Sequence, residues 1–178
     1  MRMARRLFIV GRGATAERLA ELGGHLGYDE LSLTADLPDG LTNEDHVVIA
    51  EEEIPLARKH LVAAASGVLP AYLGYAAPHR EGWKALVRLA ASELGKERID
   101  SVCVPAGVDV GAETPEEVAI AVAAELVALR RGRNLPSAGL AITPRRPKPL
   151  VEPRPRRLIG AFGGPTPDDD EGEGRGKN

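Results

Sequence analysis

The chain has 178 residues, 43% of them hydrophobic, which is enough apolar material for one buried core. A net charge of -3 argues against a general nucleic-acid binder, and no apolar run approaches the roughly 20 residues that span a bilayer. A single cysteine, Cys103, excludes a disulfide framework and favours a reducing compartment. With no signal-peptide pattern at the N-terminus, we expect a soluble cytoplasmic protein without a membrane segment.

Short β-type runs alternate with helical patterns over residues 1–133, which we interpret as one domain. The predicted strands read LFIV, ELSLT, HVVIA, AYLGY and SVCVP. Helices are predicted near residues 15–26, 55–65, 81–94 and 115–131. This alternation indicates an α/β fold, a three-layer Rossmann-like doubly wound parallel sheet whose ligand crevice lies beyond the carboxyl ends of the strands.

The first predicted strand leads into a glycine-rich turn that opens a helix, and this context raises a GxGxxG/A pattern above a chance match. The turn consists of Gly11, Arg12, Gly13, Ala14, Thr15 and Ala16. Gly11 permits a tight turn, Gly13 lets a phosphate approach the backbone, and Ala16 allows the helix to pack closely on the sheet. Free N–H groups at the helix start form an anion site. Thr15 can add a hydroxyl and Arg12 a charge, although Arg12 can equally point into solvent.

A dinucleotide site also needs an acidic residue about 20 positions further on, where it holds the ribose hydroxyls. Asp36 stands at that distance from Ala16. It can instead be a turn residue before Pro38, and the sequence favours neither interpretation over the other. NAD(P) binding therefore stays an open alternative.

Two further segments are predicted at the same edge of the sheet. The loop of residues 74–78 follows the fourth strand, and a loop with Asp109 and Gly111 precedes the last helix. Asp109 either orients a ligand hydroxyl or holds its own loop by accepting backbone N–H bonds. The run Glu51 to Glu53 is interpreted as favourable charge at a helix N-terminus.

The last helix has the clearest local signals. Thr114 can serve as its N-cap, Pro115 as its first residue and Glu117 as the capping-box carboxylate, with closure at Gly132. An apolar stripe is predicted along the helix from Val118, Val122, Leu126, Ala119, Ala123 and Val127. Cys103 in SVCVP is interpreted as a buried strand residue rather than a nucleophile.

The stretch from Val104 to Gly132 resembles the signature of the xanthine dehydrogenase accessory protein family, also called XdhC-like or CoxF-like, and LFIVGRGATA resembles its strand and glycine turn. The resemblance covers roughly residues 5–133 and implies the family's Rossmann-like half alone. It also implies that Gly74, Arg80 and, as a basic substitute, His79 belong to a ligand site. The chain departs from the family pattern at Ala14, where a histidine is usual, and at residues 50–53, where a threonine-histidine-aspartate run is common.

The resemblance implies an accessory or chaperone protein that binds the molybdenum cofactor, or a related phosphate-bearing nucleotide, and passes it to a molybdenum hydroxylase client enzyme. An NAD(P)-binding oxidoreductase or sensor is the alternative, and a degenerate scaffold domain is a third. The sequence shows no Ser-His-Asp arrangement, catalytic-cysteine context, P-loop lysine or metal-ligand spacing. These observations favour a cofactor-binding protein over an enzyme.

Residues 134–178 differ in character. Most of the 14 prolines fall between Pro136 and Pro167, and a basic run precedes the acidic run of residues 168–173. This tail is predicted to be extended and disordered. Its apolar patch, residues 158–162, is either part of a solvated tail or a segment that docks on a client enzyme or on a second copy in a homo-oligomer.

Overall fold

Five parallel strands form the centre of the fold in the computed structural model, which describes residues 5–76 and 100–133 and, between them, positions 82, 84, 85, 88, 89, 91, 92, 94, 95 and 98. They are β1 (Arg6–Val10), β2 (Glu30–Thr34), β3 (His46–Ile49), β4 (Tyr72–Tyr75) and β5 (Val102–Cys103). Their order in the sheet is β2-β1-β3-β4-β5. The parallel pairing confirms the predicted α/β architecture.

Three helices are described in full: α1 (Ala14–Gly23), α2 (Ile54–Ser66) and α3 (Pro115–Arg130). Each predicted helix boundary at these places is correct to within three residues. The helix predicted over residues 81–94 falls on a stretch of which only isolated positions are described, and the tail of residues 134–178 lies outside the described residues. All described residues belong to the unit Met1–Arg145.

Side chains alternate between the two faces of the sheet and build two apolar layers, as strand geometry requires. On β1, Phe8 and Val10 join the core that packs against α2, with Leu61 as a fully buried member. Leu7 and Ile9 point the other way, into the core formed with α1 and α3. The fold therefore has three layers, with α2 on one face and α1 and α3 on the other.

The strand order creates a switch point between β1 and β3. The chain passes from β1 outward to β2, then returns across β1 to β3 and continues in the opposite direction to β4 and β5. In doubly wound sheets the connections at such a point leave on opposite faces, which opens a crevice beyond the carboxyl ends of the two strands. The fold thus places the residues that follow β1 and β3 beside one another.

The helix α3 confirms the predicted caps and corrects part of the predicted stripe. Thr114 Oγ1 accepts from the Glu117 amide at 3.3 Å, and Glu117 Oε2 accepts from the Thr114 amide at 3.1 Å, which completes the capping box. Gly132, with φ of +64°, follows the last turn. Val127 is 40% exposed, whereas Glu125 is buried. The predicted stripe was thus wrong at Val127, and it missed Glu125, which bonds buried long-range partners.

A partly buried ion pair ties β1 to the loop before β3 at the amino edge of the sheet. Arg6 donates through Nε and Nη2 to the two carboxylate oxygens of Asp45, at 2.8 and 2.6 Å. The Thr42 amide donates to the same carboxylate at 2.6 Å. Burial raises the pKa of Asp45, but the bonds from Arg6 and Thr42 outweigh it and hold this pKa below its usual value.

Candidate functional site at the carboxyl edge of the sheet

The loops that follow the strands begin in register with the sheet, so the carboxyl edge is a fixed frame. After each of four strands, within the first three residues, one backbone amide donates a hydrogen bond to a carbonyl at the end of the adjacent strand. The donors are Gly11, Ala50, Ala76 and Ala106, and they bond at 2.8–2.9 Å to the carbonyls of Thr34, Val10, Ile49 and Tyr75, respectively. Groups on these loops are therefore held by backbone hydrogen bonds rather than by flexible side chains.

The glycine turn lies directly over the switch point. Gly11 has φ of +143°, and a Cβ built on it would lie 2.5 Å from the carbonyl carbon and oxygen of Ala50 and from the Glu51 nitrogen. A side chain at Gly11 would thus push β1 and β3 apart at their ends. Gly13 has φ of +111° and is the N-cap of α1, so it has no side chain with which to satisfy the helix amides.

A carboxylate that follows β3 takes the place of that missing cap. Oε1 of Glu52 accepts a hydrogen bond from the Ala14 amide at 2.9 Å, and a Cβ built on Gly13 would overlap the Glu52 carboxyl group. The predicted role of this glutamate was wrong, because Glu52 lies on the N-terminus of α1 and not of α2. Only the tertiary fold brings residues 14 and 52 together.

The neighbouring glutamate lies on the other side of the switch point. Glu51 is buried, and its Oε1 accepts from the Glu53 amide at 3.1 Å, so it is the carboxylate at the start of α2. Its Oε2 is buried and has no hydrogen-bond partner among the described residues. The charge predicted at the α2 N-terminus is therefore present, because Glu53 is the N-cap residue and Glu51 accepts from its amide.

The remaining turn residues divide between solvent and core. Arg12 is exposed and Thr15 is half-buried. Ala16 is fully buried in the core formed by α1, α3 and the sheet, as its predicted packing role requires. The next cation along α1, Arg18, bonds Glu21 at 3.0 Å and Glu116 at 3.4 Å, and the second bond links α1 to the first turn of α3.

Asp36 lies two residues beyond β2, the strand that pairs with β1 beside the glycine turn. Its side chain is exposed, and its carbonyl accepts from Thr34 Oγ1 at 2.8 Å, which is a local turn contact. The Thr34 carbonyl in turn accepts from the Gly11 amide at 2.8 Å. Asp36 thus makes a local turn contact through its carbonyl and lies just beyond the end of β2, and its predicted role at a ribose stays a prediction.

The loop between β5 and α3 runs back along α3. Gly107 has φ of +107°, and Val108 donates to the Ala121 carbonyl at 3.1 Å. Asp109 and Gly111 follow and are exposed. Gly111 has φ of +72°, with open space where a side chain would begin. The Asp109 side chain is therefore accessible to solvent in the loop that leads into α3.

Gly74 corrects the prediction for the loop after the fourth strand. It lies inside β4, paired in register with Val48 and Cys103, and not in a loop at the ligand edge. A Cβ at Gly74 would lie 2.5 Å from the Tyr72 hydroxyl, so glycine makes room for that side chain. The other two predicted residues of this segment, His79 and Arg80, lie outside the described residues.

A buried polar cluster beneath α3 had no signal in the sequence. Oε2 of Glu125 accepts from the Tyr72 hydroxyl at 2.7 Å and from the Gly107 amide at 2.6 Å. Burial, together with the Glu125 charge, raises the pKa of Tyr72 well above its usual value. The same two causes raise the pKa of the Cys103 thiol to about 12, which agrees with a structural cysteine rather than a nucleophile.

Comparison with known sequences decides the family. The sequence pattern of the XdhC Rossmann domain matches residues 7–126, from β1 into α3. The chain belongs to the XdhC Rossmann domain family. The match includes the glycine turn, the three glutamates after β3 and the capping box. No curated protein sequence matches the chain.

A solved structure supports the fold of this XdhC domain. The crystal structure of a xanthine dehydrogenase from Bacillus halodurans superposes with a TM-score of 0.57 at 20% sequence identity. The alignment covers 74% of this chain and 44% of that protein, so the XdhC domain spans less than half the length of its structural relative. At this identity the likeness concerns the fold.

Two negative findings apply to the described part of the XdhC domain. No three side chains of His, Cys, Asp or Glu come together there in a way that would hold a metal ion. Likewise, none of the helices described has the length and apolar character that crossing a bilayer requires.

Proposed function

We propose that this XdhC domain is an accessory protein that binds the molybdenum cofactor at the glycine turn and delivers it to a xanthine dehydrogenase-type molybdenum hydroxylase. The family membership supports the accessory role, and the name of the structural relative supports the class of client enzyme. The cytoplasm is the compartment in which such a client would be loaded.

One observation carries the proposal: the glycine turn opens α1 at the switch point of the sheet. The first intrahelical bond runs from the Glu17 amide to the Gly13 carbonyl at 3.1 Å, so the amides before Glu17 point outward from the helix start. Outward amides and the positive end of the helix dipole suit a phosphate group, which the molybdenum cofactor has. The glycines at 11 and 13 leave the backbone accessible at that place.

The backbone of the glycine turn suits the cofactor's phosphate group, but the negative charge of Glu52 at the turn opposes it. Ala14 is the residue whose amide would bond a phosphate oxygen, but it bonds Glu52 in this structure. Arg12, which is exposed, supplies a cation in the turn, and the half-buried Thr15 supplies a hydroxyl. Asp109 and Gly111, on the loop before α3, would contact the remainder of the ligand. The bound cofactor would supply the chemistry of the client enzyme, while the domain binds it and limits its contact with water.

Native mass spectrometry tests this proposal. The full chain is purified anaerobically, offered molybdenum cofactor, and weighed with any retained ligand, whose ultraviolet spectrum identifies a pterin. We expect retention by the wild type and loss in Gly13→Ala, since that substitution blocks the close approach. Gly40→Ala is the matched control, because Gly40 also has a positive φ, of +72°, but open space around it. Equal retention by all three proteins, or by none, would contradict the proposal.

A second candidate function is NAD(P) binding at the same turn, as an oxidoreductase or a sensor. The position of Asp36 favours it, because this carboxylate is exposed at the end of the strand beside the turn. If Asp36 holds the ribose, we expect Asp36→Ala to weaken NAD(P) binding. If the domain is a molybdenum cofactor carrier, we expect Asp36→Ala to leave retention of the molybdenum cofactor unchanged. Isothermal titration calorimetry with NAD and NADP separates these outcomes.

A further inference from the structure

The position of Glu52 has a consequence for which ligands the turn accepts. Oε1 of Glu52 bonds the Ala14 amide at 2.9 Å, and the carboxyl group fills the space that Gly13 leaves by lacking a side chain. In a phosphate-binding glycine turn that same space receives a phosphate oxygen. The Glu52 carboxylate is therefore an anion in the position that a phosphate group of a ligand would occupy.

A second carboxylate, that of Glu51, is buried at the start of α2. Oε2 of Glu51 is buried without a hydrogen-bond partner in the described part of the chain, and the Glu51 nitrogen adjoins Gly11 at the switch point. A buried acceptor without a donor is costly, so a donor on an incoming ligand would stabilise it. Glu52 thus places a carboxylate where a phosphate oxygen would lie, and a phosphate meets repulsion unless this carboxylate leaves.

Glu52 is the carboxylate that can leave. Its side chain is exposed, and among the described residues it is held by one hydrogen bond, to a backbone amide, whereas Glu51 is buried. Rotation of the Glu52 side chain into solvent uncovers the Ala14 amide without moving any strand or helix. Arg18, on the same helix as Ala14, is bonded to Glu21 and Glu116, so it does not hold Glu52 in place.

We propose that Glu52 is an internal competitor of the phosphate group: it occupies the anion position of the glycine turn in the ligand-free protein and must be displaced before a phosphate-bearing ligand binds. This inference rests on the proposed function, since it concerns the same turn. It makes Glu52 a specificity-determining residue, because a weak or singly charged anion cannot outcompete a tethered carboxylate, whereas a ligand with several contacts can.

Calorimetric titration of the full chain with inorganic pyrophosphate tests the proposal. We expect Glu52→Ala and Glu52→Gln each to bind pyrophosphate about ten-fold more tightly than the wild type, because a like charge at hydrogen-bond range is removed. Glu53→Gln is the matched control, since it removes the same charge from the adjacent exposed residue and leaves the Glu52 bond intact. We expect its affinity to stay within about two-fold of the wild type.

Amide spectra supply a second readout. In ¹⁵N-labelled wild type, pyrophosphate is expected to shift the Ala14 amide resonance towards its position in pyrophosphate-bound Glu52→Ala. Equal affinities for the wild type and both Glu52 variants, or an equal gain in Glu53→Gln, would overturn the proposal. If the Glu52 variants gain affinity while no protein retains a pterin, Glu52 is the competitor and the proposed function fails. If the wild type retains a pterin and the Glu52 variants gain no affinity for pyrophosphate, the proposed function stands and Glu52 is not a competitor.

Discussion

Replacing Gly11 with alanine tests the geometry at the switch point. Two costs add in this variant. The backbone at φ of +143° is rarely adopted by residues with a side chain, and such strain costs about 1–3 kcal/mol. The new Cβ would lie 2.5 Å from backbone atoms of Ala50 and Glu51, which cannot rotate aside, and overpacking of this kind costs about 1–3 kcal/mol. We therefore expect Gly11→Ala to lower the free energy of unfolding by about 2–6 kcal/mol.

The assay is an equilibrium urea titration followed by circular dichroism, with Gly40→Ala as the reference. Gly40 has φ of +72°, and no atom lies within 4 Å of the place that its Cβ would take, so this variant carries backbone strain alone. That strain is worth about 1–2 kcal/mol. If Gly11→Ala is destabilised no more than Gly40→Ala, within about 0.5 kcal/mol, the close approach of β1 and β3 at Gly11 is wrong.

Four further outcomes are expected. Tyr72→Phe should lower the free energy of unfolding by about 1.5–3 kcal/mol, because it removes a hydrogen bond to the buried Glu125 carboxylate, and urea titration would show a smaller loss if that contact is absent. Asp45→Asn should make the free energy of unfolding less dependent on pH in acid. The pKa of Asp45 is lowered in the folded protein, so the stability it provides is fully present above the unfolded pKa of about 3.9. This stability is lost as the pH falls through the folded-state pKa. Urea titrations from pH 6 to pH 2 check this, and an unchanged pH profile contradicts it. Cys103, which is half-buried and whose pKa is raised to about 12, should react with an aromatic disulfide reagent at pH 8 more slowly than a free thiol, so labelling of the native protein at the rate of a free thiol would refute the raised pKa. Thr114→Ala should cost about 1 kcal/mol in the same urea assay through loss of the α3 cap, and no change would mean that the cap is dispensable.

Local sequence signals predicted the helix ends and the fold class. Thr114, Pro115 and Glu117 lie within four residues of one another, and their capping box depends on contacts that the sequence spacing itself defines. The strands were recognised as short apolar runs between helices, and all five form in the parallel sheet. Such features depend on neighbours along the chain, so they can be derived from one sequence.

The candidate site could be predicted only in part, because its decisive contacts join distant residues. Glu52 bonds an amide 38 residues earlier in the chain, and Glu125 bonds Tyr72 across 53 residues. Neither pairing follows from periodicity. Gly74 was predicted both at the end of the strand AYLGY and at the start of the loop of residues 74–78, and its role, making room for the Tyr72 side chain, depends on strand geometry that the sequence does not state.

Binding of the cofactor at the glycine turn is the central claim, and amide mapping tests it most directly. Anaerobic titration of the ¹⁵N-labelled full chain with molybdenum cofactor, followed by two-dimensional NMR, shows which backbone amides the ligand approaches. We predict the largest shifts at Gly13, Ala14 and Thr15, with smaller ones at Glu52 and Asp109. Shifts confined to the amino edge, near His46 and Tyr28, or no shifts at saturating cofactor, would contradict the claim.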